Sequence, residues 1–355
     1  MGRVLYAEES WNPLARTVEL TEDRLRRGRR TTPLQELDLA AMAEAFLRGT
    51  WLGGGGTERP LERVTEGRGV VPVTRVTGTT TPLKVRRAAE FARALGELAV
   101  RGCGGPDAVT ALAARARTEG VPLWIARRYA QGPAGPIAVA VDRRLVRVDV
   151  WGPQAPAVRL RAPHGFDADA DTPDGGLLLT VGDVPARLVL RKKRRKSKSR
   201  VEIHLPDRHW TLRRKDAESS WLSRDDRRVA LLTRPPRWPE PASGTVLLPL
   251  ADVRHESPDP LDAVVAHAVA VSFGLGDTTG LARFRSVRRS REEGGEVDGE
   301  LWDRPWFSNL GRGRDDNEPG GGDGWGGDGG DGGDGGGSSG GDGGGDGGGG
   351  GGGGD

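Results

Sequence analysis

Hydrophobic positions along this chain follow different periods in successive regions. Between Leu34 and Thr118 they recur every three to four residues, the spacing that lines one face of a helix. Between Ile137 and Leu250 they alternate with polar residues in short runs, as half-buried strands do. From Leu261 to Leu275, LDAVVAHAVAVSFGL, nearly every position is apolar, and beyond Arg285 no period remains.

The first region predicts a small all-α module over residues 1–131. Thr31-Thr32-Pro33-Leu34 and Thr80-Thr81-Pro82-Leu83 each read as a Thr cap with Pro at the first helical position. After the first, Leu34, Leu37, Ala41, Met42, Ala45 and Phe46 share a face; after the second, Val85, Ala88, Phe91, Ala92, Leu95, Leu98 and Ala99 do. Pro106 to Thr118 predicts a third helix through Val109, Leu112, Ala113 and Ala116. The helices share little beyond the repeated tetrapeptide, so chance use of a good cap explains it better than duplication. Gly53 to Gly56 and Gly67 to Gly69 predict a flexible connector, and Gln131 to Pro136 a domain boundary, because Gly and Pro stop helix and strand alike.

Beyond that boundary, runs such as Ile137/Val139/Val141, Leu145 to Val150, Val158/Leu160, Leu177 to Val181, Leu188 to Leu190, Val201 to Leu205, Trp210 to Leu212, Val229 to Leu232 and Val246 to Leu250 predict strands. Turn signals including Pro173-Asp174-Gly175-Gly176 and Pro206-Asp207-Arg208 separate them. Many short strands at regular spacing predict a meandering antiparallel sheet over residues 137–285, closed or nearly closed to hide its edges. The apolar segment then predicts a helix over 260–274, with Asp259 as N-cap, Pro260 at the first helical position and Asp262 returning a carboxylate to the first NH groups. Gly274 and Gly276 end it. It is too short for a ~30 Å hydrocarbon layer, which takes ~20 residues, so its place is inside the sheet. The fold class is therefore α+β: an all-α N-terminal module, then an antiparallel barrel-like sheet around a buried C-terminal helix, then a tail.

The hairpin pattern Leu222-Ser223-Arg224-Asp225-Asp226-Arg227-Arg228-Val229-Ala230, closing with Pro258-Asp259-Pro260-Leu261-Asp262-Ala263-Val264-Val265-Ala266-His267-Ala268-Val269-Ala270, resembles the tubby-like superfamily. The bacterial members of its LURP-one-related type end in a similar acid-capped apolar helix. The resemblance covers about residues 137–285 and implies a β-barrel wrapped around that helix. It also implies lipid binding, known for some members, although no residue-level lipid site transfers. The chain departs from the family in an Arg/Lys insertion at Arg191 and in lacking aromatic-rich strands.

Charge changes the picture most. The run Arg191-Lys192-Lys193-Arg194-Arg195-Lys196-Ser197-Lys198-Ser199-Arg200 lies between two predicted strands, so it becomes the tip of a long hairpin. Like charges packed this closely repel, and an anionic partner relieves them. Arg191, Lys192, Lys193, Arg194, Arg195, Lys196, Lys198 and Arg200 are thus candidate anion-binding residues for anionic lipid headgroups or nucleic acid; the alternative is a merely solvated loop. The net charge of +3 conceals an asymmetry: residues 315–355 carry ten acids and no base, and subtracting those ten leaves +13 on residues 1–314. Residues 319–355 are almost entirely Gly and Asp, a composition with nothing to bury and an expectation of disorder. The chain's own acidic tail is accordingly a candidate competitor for the basic hairpin. In the polar linker 286–318, Trp302, Trp306 and Phe307 are candidates for docking on a partner or, more simply, back onto the protein.

The remaining signals narrow the function by exclusion. One cysteine, Cys103, excludes an internal disulfide and multi-thiolate zinc, and its setting RGCGG fits a half-buried helix end better than a nucleophile. Five histidines show no metal spacing. His267, midway along the apolar helix, needs a hydrogen-bond partner, and a satisfied core histidine is the simpler reading than a catalytic one. Gly337-Ser338-Ser339-Gly340-Gly341 fits a nucleophile-elbow spacing without a strand before it or a helix after it. Gly274 to Gly280 follows a helix where a phosphate cradle opens one. No catalytic, metal or cofactor residue is assigned. No apolar leader is apparent, and the abundance of Arg, Ala, Gly and Pro suggests a GC-rich bacterial gene, so the expectation is a cytoplasmic, non-enzymatic scaffold or binding protein. The alternatives are a non-specific nucleic-acid binder using the same hairpin, or an enzyme whose site would be a deep pocket at His267 or His164 lined by carboxylates.

Overall fold

In the computed structural model, which describes residues 2–8, 17–142, 146–163, 166, 172–234 and 252–284, the first third of the chain mixes strands with helices. β1 (Val4–Ala7), β2 (Val18–Thr21), β3 (Arg24–Arg27) and β4 (Arg30–Pro33) form a four-stranded antiparallel sheet in sequence order. Helix α1 (Leu39–Leu47), the ribbon of β5 (Thr50–Leu52) and β6 (Glu58–Pro60), and the hairpin of β7 (Gly69–Thr74) and β8 (Thr80–Val85) follow. Helices α2 (Ala88–Gly102) and α3 (Pro106–Glu119) complete the region.

The all-α expectation for residues 1–131 is thus corrected. Thr31-Thr32-Pro33 lies in β4 and Thr80-Thr81-Pro82 in β8, so neither tetrapeptide opens a helix. Threonine favours extended backbone and a residue before Pro is driven towards it, while an edge position tolerates the missing NH. β4 is such an edge, and Pro82 faces Pro72 in a two-stranded ribbon. Helix α1 starts instead after Asp38, whose side chain accepts from the Ala41 amide at 3.0 Å. The glycine connector is a short 3₁₀ turn at Gly54–Gly56 and the approach to β7. The helical faces hold in part: Ala41, Met42 and Ala45 of α1, and Ala88, Phe91, Ala92, Leu95, Leu98 and Ala99 of α2, are buried, whereas Leu34 and Leu37 precede α1 and Val85 ends β8. At Gly96 a Cβ would stand 2.3 Å from the ring of Phe46, so glycine there sets how closely the two helices approach.

The region of alternating residues forms one 11-stranded antiparallel meander. Its strands are β9 (Ala126–Gly132), β10 (Gly135–Asp142), β11 (Arg147–Trp151), β12 (Val158–Arg161), β13 (Leu178–Val181), β14 (Val184–Arg191), β15 (Arg200–His204), β16 (His209–Arg214), β17 (Ser219–Arg224), β18 (Arg227–Thr233) and β19 (Asp252–His255). Residues 131–136 lie within a hairpin of the sheet. Gly132 pairs with Gly135 at the turn of the β9–β10 hairpin, so the sheet begins at Ala126. The strand expected at Val246 to Leu250 lies outside the described residues. The sheet is nearly closed and barrel-like, and both of its edge strands, β9 and β19, reach helix α4 (Pro260–Ser272).

Helix α4 (Pro260–Ser272) is buried from Leu261 to Ser272 and shares one hydrophobic cluster with β10 through β18. Asp259 caps it by accepting from the Leu261 amide at 2.9 Å. It stops two residues short of Gly274, with Phe273 already extended. Asp262 does not turn back to the helix amides. Its Oδ1 accepts from Trp210 Nε1 at 2.9 Å across the core, and its Oδ2 lies 3.0 Å from the Arg224 guanidinium. No helix among the described residues is long and apolar enough to cross a membrane.

Candidate anion-binding hairpin

The ten-residue basic run joins β14 to β15, with Arg191 the last residue of one strand and Arg200 the first of the other, directly paired across the ladder. The turn is ordered by its own backbone. Lys196–Lys198 make a 3₁₀ turn, the Lys193 amide donates to Ser199 Oγ at 3.0 Å, and Ser199 is buried against the loop after α4, where its Cβ approaches Gly280. A buried serine hydroxyl tied to the opposite side of a turn fixes the loop's base, and the side chains beyond it are left to solvent.

The eight candidate residues fall into two groups. Arg191 and Arg200 are taken up at the root by Glu202, with Arg191 Nε 3.4 Å from one carboxylate oxygen and Arg200 Nε on the other. Burial pushes the Glu202 carboxyl up, but the Arg200 and Arg191 charges and hydrogen bonds outweigh it and hold the group below the usual range. Lys192, Lys193, Arg194, Arg195, Lys196 and Lys198 are all exposed and have no ion-pair partner among the described residues. Six cations on seven consecutive positions, with the two flanking arginines sharing one carboxylate, make a compact positive knob on a paired stem.

The sheet carries this charge away from the turn. Registers run Arg191↔Arg200, Arg200↔Arg213, Arg213↔Trp221, Trp221↔Leu231 and Leu231↔Arg254, a single row across β14 to β19. Directly paired residues share a face, and the adjacent row, Val201, Leu212, Leu222 and Ala230, is buried in the core, so this one faces out. Trp221, half-buried, has three cations at its ring: Arg228 at 4.6 Å from the centroid, Lys215 at 5.8 Å and Arg254 at 5.9 Å. Sequence reasoning missed this cluster because its members come from three strands and a turn. The only signal in the chain was alternation, which marks Trp221, Arg213 and Leu231 as residues opposite the core-facing set.

Other candidates occupy structural positions. Cys103 ends α2, half-buried, its thiol pushed up by burial and by the charge of Asp38. His204 and His209 stack on the outer face at 4.2 Å. His267 is buried 5.5 Å from His255, and its Nε2 finds no hydrogen-bond partner among the described residues, against the expectation of a satisfied imidazole. Burial, followed by the charge of His255, lowers its pKa to about 4. The narrow void beside α4 is lined by Val148, Val158, Leu160, Leu179, Ile203, Ala268, Val269, Ser272 and Phe273, which offer no carboxylate. His164, Trp302, Trp306, Phe307 and the acidic tail lie outside the described residues.

No protein-family model, no curated protein and no solved structure matches this chain.

Proposed function

We propose that this is a cytoplasmic binding protein of the tubby-like kind, a β-barrel closed around a central helix, that holds phosphate-bearing polyanions on the basic hairpin between β14 and β15. The observation that carries the reading is the segregation of charge within the hairpin: Arg191 and Arg200 share the Glu202 carboxylate, and the six cations beyond them are exposed without an ion-pair partner among the described residues. A solvated loop gains nothing from pinning six like charges on a short 3₁₀ turn, whereas a polyanion releases condensed counterions for each phosphate neutralised. The stem supports the same role. With Ser199 buried and hydrogen-bonded across the turn, little loop entropy remains to be lost on binding.

The test is retention on immobilised heparin across a salt series. Replacing Lys192, Lys193, Arg194, Arg195, Lys196 and Lys198 with Gln lowers the eluting salt concentration, because fewer counterions are released from the polyanion. An elution profile unchanged by that replacement refutes the reading.

A further inference from the structure

We propose that the polyanion is single-stranded nucleic acid, and that it runs from the hairpin across the outer face of the barrel to stack a base on Trp221. This rests on the hairpin reading and adds a second, separate contact to it. The row Arg191, Arg200, Arg213, Trp221, Leu231, Arg254 begins at the root of the hairpin itself. Adjacent strands lie about 4.8 Å apart, so Trp221 sits roughly 14 Å from Arg191 and the row extends roughly 24 Å, a track for several nucleotides.

The chemistry along that track changes in a particular order. The knob at the turn offers charge alone. Arg213 then offers an exposed guanidinium with no ion-pair partner among the described residues. Trp221 follows, half-buried, with Arg228, Lys215 and Arg254 over its ring as side chains that a stacking base would displace, and Leu231 beyond it is partly exposed. Phosphates need the first two features, but a headgroup layer or a sulfated sugar has no flat ring to place on an indole. A single strand has both a phosphate backbone and unpaired bases, and every base has a π-face. A duplex keeps its bases stacked on each other and offers Trp221 only its backbone. Moved off the ring, the same cations place positive charge where phosphates on either side of a stacked base would lie.

The experiment uses the full chain and a fluorescein-labelled oligothymidylate of about 20 nucleotides, with the same length of duplex DNA and phosphatidylserine vesicles as comparisons. The expected result is that the single strand binds most tightly, that Trp221→Ala lowers its affinity about five-fold or more, and that Trp221→Phe restores much of the loss. Heparin retention should be unchanged in both variants, since heparin offers nothing to stack. Far-UV circular dichroism and the thermal midpoint of Trp221→Phe control for folding. Equal single-strand affinity in wild type and Trp221→Ala overturns the inference. Vesicle binding tighter than single-strand binding, insensitive to Trp221, overturns it in favour of a membrane surface. These outcomes leave the hairpin reading standing, because that reading fails only if Gln replacement of the six tip cations leaves heparin retention intact.

Discussion

Trp210 on β16 donates its indole NH to Asp262 on α4 at 2.9 Å, both residues almost wholly buried and 52 positions apart in the chain. This bond ties the sheet to the helix that shares its core. The same carboxylate lies 3.0 Å from Arg224, which also pairs with Asp259, the N-cap of α4, at 2.5 Å. One arginine thus faces the cap and the first turn of the helix while the indole satisfies the remaining oxygen.

Asp262→Ala leaves a buried indole NH without an acceptor and an arginine with half its partners. The expected loss is about 2–4 kcal/mol of folding stability in urea denaturation. Trp210→Phe removes the donor and keeps most of the volume, so it should cost less, about 1–2 kcal/mol. In the double variant the two losses should fall short of their sum, because they remove one interaction. Strict additivity would mean that the bond contributes nothing.

Asp149, 1 % exposed, is surrounded by three arginines: Arg161 at 2.5 Å, Arg147 at 3.1 Å and Arg159 at 3.3 Å. Two of them reach further, Arg147 to the Gly120 carbonyl at 2.6 Å and Arg159 to that of Glu119 at 3.5 Å, which complements the negative end of α3. Asp149→Ala strands three adjacent guanidiniums. Because each reaches solvent in part, the low end of the range for a broken buried pair applies, about 3 kcal/mol. Hydrogen exchange should report faster opening at the C-terminal end of α3. Unchanged exchange there would show that α3 is held by its apolar contacts alone.

What the sequence reveals here depends on whether the signal is local. Val139, Val141, Val148 and Val150 alternate because one face of each strand meets the core, and that alternation can be read one strand at a time. The N-terminal strands offer no such reading. Arg24–Arg27 and Arg30–Pro33 are four residues each, too short and polar to show a period, and Thr-Thr-Pro serves a helix cap or an edge strand equally well. Asp262 sits where a capping carboxylate belongs, and only the tertiary fold brings Trp210 to it. At the candidate site, the density of charge made the hairpin visible, but Glu202 as its counterion and Trp221 as its neighbour follow from strand register, which no local pattern contains.

His267 makes stability pH-dependent with a defined sign. Its pKa falls from an ordinary 6.5 to about 4 in the folded protein, so between those values the unfolded chain binds the proton and the folded chain does not. Stability from this group is full above pH 6.5 and is lost as pH falls towards 4, by about 3 kcal/mol in all. His255, also lowered by burial, shifts in the same direction. His267→Leu should therefore flatten the decline in thermal midpoint between pH 6.5 and 4.5 relative to wild type. A parallel decline in the two proteins would show that His267 is hydrated or otherwise satisfied when folded.

Residues 315–355 hold ten acids and no base, against +13 on residues 1–314 obtained by removing those ten from the net +3. The six cations of the hairpin are the densest positive feature among the described residues, and if acids tethered to the same chain bind them, they compete with any external polyanion at an effective concentration set by the tether. Deleting residues 315–355 should move elution from heparin to higher salt. The shift should shrink when the six tip cations are replaced with Gln, because the competitor then has lost its target. A shift of equal size in both backgrounds would mean that the tail acts through net charge alone and not through the hairpin, and no shift in either would remove the tail from the binding equilibrium.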